Sequence, residues 1–115
     1  MSFTFEIEET SACCVVSISG KFVESGNNKA ILDHVTNNLD NNDSAFILDL
    51  KEMTLLNSEG ISVLVRIVNM VNDAKGRVVF VNVPSQIDEL LSVIKLNSVF
   101  IIKNDLKEGL EYLKA

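Results

Sequence analysis

The residues best suited to chemistry are one histidine, His34, two adjacent cysteines, Cys13 and Cys14, and a polar tetrad, Asn57-Ser58-Glu59-Gly60. Nucleophilic catalysis needs a serine or cysteine beside a base, but His34 is the chain's only histidine and sits at a polar position of a helical pattern. It reads as a solvated surface residue. A metal site needs several ligands at set spacing, and no C-x-x-C or H-x-x-x-H is present. The glycines at 20, 26, 60, 76 and 109 form neither a dinucleotide nor a P-loop pattern. The paired acids Glu8-Glu9 and Asp88-Glu89 diverge, because neighbouring side chains face apart on a strand or helix. The expectation is a protein that binds a partner, needs no cofactor or metal, and is not an enzyme. The tetrad stands out because it heads the longest helical pattern. A helix start has unpaired N–H donors and a partial positive charge, so a negative group is stabilised there.

The chain has 115 residues, 47% of them hydrophobic, enough for one core and too few for a second domain, so residues 1–115 read as a single domain. Sixteen acidic residues against ten basic give a net charge of −6, which opposes binding to nucleic-acid phosphates and to anionic membrane surfaces. No apolar run approaches the ~20 residues of a spanning helix, so membrane insertion is not expected. The opening MSFTFEIEET has neither the basic start nor the apolar run of a targeting peptide, and a cytoplasmic location is expected. Cys13 and Cys14 would point to opposite faces of a strand, which argues against a disulfide between them.

Phe3, Phe5 and Ile7 alternate with Thr4, Glu6 and Glu8, as in a half-buried strand. Cys13–Ile18 is almost wholly apolar and predicts a strand covered on both faces, paired to the first as a hairpin and ended by Gly20. Ser25-Gly26-Asn27-Asn28 supplies cap candidates for a helix over about Lys29–Leu39, which stops in Asn41-Asn42-Asp43. Ala45–Leu50 predicts a central strand, and 58–75 a long helix closed by a left-handed Gly76. Val78–Val83 predicts a strand, and Ser85 caps a third helix with Ile87, Leu90, Leu91 and Ile94 inward. Val99–Ile102 is the expected last strand, and Asp105 with Glu108 resembles a capping box for a final helix through Leu106, Leu110 and Leu113. The order ββαβαβαβα implies an α/β domain: a mixed, mostly parallel sheet with an N-terminal antiparallel hairpin and about four helices.

On the helix after the tetrad, Ile61, Leu64, Val65, Val68 and Val71 share one face, and Val63, Ile67 and Met70 widen it beyond the usual apolar stripe. Ser62, Arg66, Asn69 and Asp73 form the polar strip. Either the edge at Val63, Ile67 and Met70 stays exposed beside Glu59 as a partner-docking surface, or the third helix covers it.

Strand Ile47–Leu50, the loop to Leu56 and the tetrad together resemble the signature of STAS domains of the bacterial anti-sigma-factor antagonist type, where a similar strand precedes Asp-Ser-Ser/Thr-Gly at a helix start. The likeness extends to the opening hairpin, Gly20, the Val78–Val83 strand and the Leu90-Leu91, Leu96, Val99-Phe100 spacing. It implies a regulator of transcription that binds and sequesters a kinase-type anti-sigma factor, or another regulatory protein, through Asn57, Ser58, Glu59 and Gly60. It also implies a phosphorylation switch at the residue before the glycine. That residue is Glu59, which has no hydroxyl but carries a permanent negative charge where a phosphate would add about −1.5 to −2. Ser58 matches the motif's first serine and is a candidate substitute phosphoacceptor, while Asn57 or Ser58 is the candidate cap. The family's Gly-x-Leu-Asp reads Gly20-Lys21-Phe22-Val23 here, so its carboxylate is absent. The alternative is a constitutive docking subunit of a sensory complex or transport machine.

Overall fold

A computed structural model describes residues 3–10, 13–22, 27–40 and 44–114. Strands β1 (Phe3–Glu9) and β2 (Cys14–Phe22) pair antiparallel, with Phe3 opposite Gly20 and Glu9 opposite Cys14. Strands β3 (Ala45–Asp49), β5 (Arg77–Val81) and β6 (Ile102–Lys103) follow in parallel, giving the order β1-β2-β3-β5-β6. The sheet has a sixth strand that the sequence reading missed, β4 (Met53–Leu56), also parallel to β2.

Strand β2 is paired along one edge by two successive strands. Cys14–Ser17 meets β3, and Gly20–Phe22 meets β4 across an irregularity in register between Gly20 and Lys21. Gly20 adopts φ 94°, a backbone state open to glycine at little cost. It therefore shifts the strand's register and does not end it, as the sequence had suggested. Between β3 and β4, the Lys51 N–H donates to Asp49 Oδ1 at 3.0 Å and the Met53 N–H to the Leu50 carbonyl at 3.0 Å. That turn returns the chain to the same edge of β2.

Alternation along the central strands sends side chains to two faces. Cys14, Val16, Phe46, Leu48, Val78 and Phe80 join the larger core. The helices there are α1 (Asn27–Asp40), α2 (Ser58–Asp73) and α3 (Ser85–Val93). Cys13, Val15, Ile47, Val79 and Val81 face the other way, under α4 (Leu106–Lys114). The two cysteines thus face opposite sides of the sheet and form no disulfide. Helix α4 lies close to the sheet at Gly109, where an added Cβ would stand 2.7 Å from Val81 Cγ1.

Three helix ends differ from expectation. The Gly76 N–H reaches the Val71 carbonyl at 2.8 Å and the Lys75 N–H that of Asn72 at 2.9 Å, closing α2 in a Schellman motif. The left-handed residue is Lys75 (φ 62°), and Gly76 follows it. Helix α3 starts from the Pro84 carbonyl, which accepts from the Asp88 N–H at 2.9 Å, so Ser85 is its first helical residue and caps nothing. In α4, Asp105 Oδ1 accepts from the Glu108 N–H at 2.9 Å as expected, while the Asn104 N–H, in place of that of Asp105, donates to Glu108 Oε1 at 3.1 Å.

The expected strand at Val99–Ile102 is for the most part a connection. A 3-10 turn at Leu96–Ser98 leads to Phe100, whose ring stacks on Phe80 with centroids 4.5 Å apart, and β6 begins only at Ile102. Helix α1 begins at Asn27, earlier than expected, and the expected stop at Asn41-Asn42-Asp43 lies outside the described residues, as does the loop at 23–26. His34 is exposed, with its ring edge-on to Phe5 at 5.5 Å. No helix among the described residues is long and apolar enough to cross a membrane.

Candidate functional site

Strand β4 ends at Leu56 and α2 begins at Ser58, so Asn57 stands at the break between them. Its backbone is extended (φ −118°, ψ −175°), its Oδ1 accepts from the Gly60 N–H at 3.0 Å, and its carbonyl accepts from the Ile61 N–H at 2.9 Å. That is the N-cap arrangement, and it settles the choice between Asn57 and Ser58. Removing the amide leaves the Gly60 N–H without its protein acceptor. Asn57→Ala is accordingly expected to cost about 1 kcal/mol, seen as a lower urea midpoint with an unchanged slope.

Ser58 and Glu59 are the first two residues of α2, and both are exposed. The Ser58 hydroxyl makes no hydrogen bond to any described residue. Glu59 is the acidic residue of the helix's first turn, where its charge complements the partial positive end. Gly60 is buried. The tetrad therefore presents one carboxylate and one free hydroxyl to solvent on a fixed backbone. Val23, where the motif would have a carboxylate, lies outside the described residues.

The helix face next to the tetrad is a different matter. Val63 is 6% exposed and Ile67 0%, both within the main core, so neither can serve as the expected partner-binding surface. Helix α1 packs beside α2, where the third helix had been the candidate cover. Met70 is half-buried and lines a shallow groove with Thr36 and Leu39 of α1. Ser62, Arg66 and Asn69 are exposed as expected and carry the polar surface onward from Glu59.

One apolar residue at the site escaped the sequence reading. Leu55, two residues before the cap, is 48% exposed, whereas Met53 and Leu56 on the same strand are buried. The signal available was the Met53–Leu56 run itself, read as loop because only four residues separate the Lys51-Glu52 turn from the cap. At the neighbouring strand ends, Asn82 Nδ2 donates to Asp49 Oδ1 at 3.3 Å and the Asn82 N–H to the Asn104 carbonyl at 3.2 Å, tying β3, β5 and the start of α4 together. Among the described residues no group of three His, Cys, Asp or Glu side chains is placed to hold a metal ion.

A six-stranded mixed sheet with three helices on one face, one on the other, and a capped polar helix start next to an edge strand defines a class of small α/β domain. The chain belongs to the STAS domain family, whose model matches residues 4–109. No curated protein sequence matches it. Among solved structures, an anti-sigma factor antagonist from Mycobacterium paratuberculosis is similar with a TM-score of 0.83 and 19% identity, over 99% of this chain and 96% of that one. The phosphorylated form of the Bacillus cell fate determinant SpoIIAA aligns with a TM-score of 0.74 and 12% identity, over 96% of this chain and 99% of its own. A chain of the stressosome, described as a signal integration and transduction hub, aligns with a TM-score of 0.69 and 17% identity, over 95% and 96%. At these identities the likeness is one of fold.

Proposed function

We propose that this chain is a regulatory docking module with no catalytic activity, which binds a kinase-type anti-sigma factor through the start of α2 and sequesters it, so that a sigma factor is released. The observation that carries this reading is the exposed pair Ser58 and Glu59, held at a capped helix start, where the tetrad's resemblance to the antagonist motif puts the switch. The fold shared with antagonist structures supports it. The role belongs in the cytoplasm and involves no nucleic acid, no membrane and no cofactor.

Glu59 gives the site a permanent negative charge and no hydroxyl, so the docking surface rests in a phospho-like state. Ser58 is the remaining hydroxyl through which the switch can be displaced. A constitutive docking role within a larger assembly is the second reading. It is favoured by the same absence of a hydroxyl at Glu59 and by the fold's presence in the stressosome.

The deciding experiment mixes the purified chain with a kinase-type anti-sigma factor from the same organism, with and without ATP, and follows complex formation and phosphate by mass spectrometry. The antagonist reading expects a complex, and it expects Glu59→Ser to accept phosphate at residue 59. A complex that forms with no phosphate transfer to either protein leaves the constitutive reading. Absence of any complex overturns the anti-sigma partner.

A further inference from the structure

Four of the exposed large aliphatic side chains, Val93, Ile94, Val99 and Ile101, belong to the single stretch that carries the chain from α3 to β6. Val93 is 77% exposed and Val99 53%. Val99 and Ile101 also form one wall of a cavity of about 310 Å3, closed by Val68 and Asn72 of α2, Arg77 of β5 and Tyr112 of α4. None of the described residues lining it is a carboxylate. Water held against this surface is released when an apolar partner covers it, and contiguous exposed aliphatics of this kind mark interaction surfaces.

The connection that carries these aliphatics is basic within an acidic chain. From Leu90 to Asn104 the only charged residues are Lys95 and Lys103, within a protein of net charge −6. Arg77 adds a guanidinium at the cavity, placed 5.6 Å from the Tyr112 ring centroid and donating to the Tyr112 carbonyl at 3.3 Å. Lys103 Nζ is 5.2 Å from the same ring, in a neighbouring hollow shared with Glu108 and Glu111. Asn72 is fourteen residues beyond Ser58 on α2, about 21 Å along the helix at 1.5 Å per residue.

We propose that this basic, apolar edge is a second docking surface, and that its occupant is an acidic segment of a partner protein carrying aliphatic anchors. An aliphatic side chain fills the cavity between Val68 and Val99, and the segment's carboxylates face Lys95 and Arg77. The rest of the acidic surface repels such a segment, which confines it to this edge. Because the edge lies at the far end of α2 from the tetrad, both surfaces can be occupied together, and the domain then bridges two proteins.

The test is an NMR titration of the full 15N-labelled chain with two blocked heptapeptides, Asp-Glu-Leu-Leu-Glu-Asp-Leu and the same peptide with every acid replaced by lysine. The expected result is that the acidic peptide moves the amides of Gly76, Arg77, Val99 and Ile101 and leaves Ser58 and Glu59 in place, with the lysine peptide binding about tenfold or more weakly. Val99→Asp, at an exposed position, is expected to weaken the acidic peptide about tenfold or more. Lys95→Glu provides the same readout if the first variant fails to fold. Equal binding of both peptides, shifts centred on the tetrad, or no shift at all overturns the proposal. So does movement of these amides by phosphatidylglycerol vesicles but not by the peptide, which would assign the edge to a membrane.

Discussion

Gly76→Ala is expected to lower the melting temperature by about 10 °C, equivalent to a loss of about 3 kcal/mol. A Cβ at Gly76 would lie 2.3 Å from the Ser44 backbone oxygen and 2.9 Å from Val71 Cγ1. Neither neighbour can move freely. The Ser44 oxygen accepts from the Arg77 N–H at 2.6 Å, at the start of the β3–β5 pairing, and Val71 is a fully buried core residue of α2. Relief therefore requires opening that pairing or displacing the helix end. Calorimetry on the variant checks the prediction, and an unchanged melting temperature would mean that the start of β3 yields at no cost. This contact also explains why glycine follows the left-handed Lys75: the space at 76 excludes a side chain.

Leu55→Asp is expected to weaken the proposed complex about 30-fold, or ~2 kcal/mol, while leaving stability within about 0.5 kcal/mol. Among the described residues Leu55 is the large aliphatic exposed next to the tetrad, and its strand is held to β2 by the pairing of Leu55 with Lys21 and Leu56 with Phe22. A partner that covers Ser58 and Glu59 and reaches two residues back must desolvate this side chain, and a carboxylate there would also add to the negative charge of Glu59. Titration calorimetry against the anti-sigma factor reads the affinity, and a urea melt reads the fold. Full affinity in the variant would place the contact on the other side of the tetrad, toward Ser62 and Arg66.

Much of this was legible in the sequence for stated reasons. The strict alternation of Phe3–Glu8 and the almost wholly apolar run from Cys13 to Ile18 showed which strand is at the edge and which is inside, and the tetrad's residue types placed the cap at the head of α2. What was missed follows from limits of periodicity. It measures how wide an apolar arc is and cannot say how many neighbours cover it, so Val63 and Ile67 were open to being surface until α1 was seen against α2. Runs of four residues are too short to show a period. Met53–Leu56 is a strand that read as loop, and Val99–Ile102 is a connection that read as strand because Phe100, turned inward onto Phe80, gives the run a core-like composition.

The two thiols of Cys13 and Cys14 are neighbours in the chain but lie beneath different coverings: one under α4, the other under the three-helix layer, where Asn38 Nδ2 donates to Cys14 Sγ at 2.9 Å. Native proteins open in parts, and a layer of one helix lifts at lower free energy than a layer of three. Transient lifting of α4 therefore bares one sulfur while the adjacent one stays sealed, so the dipeptide distinguishes local breathing of α4 from loss of the whole fold.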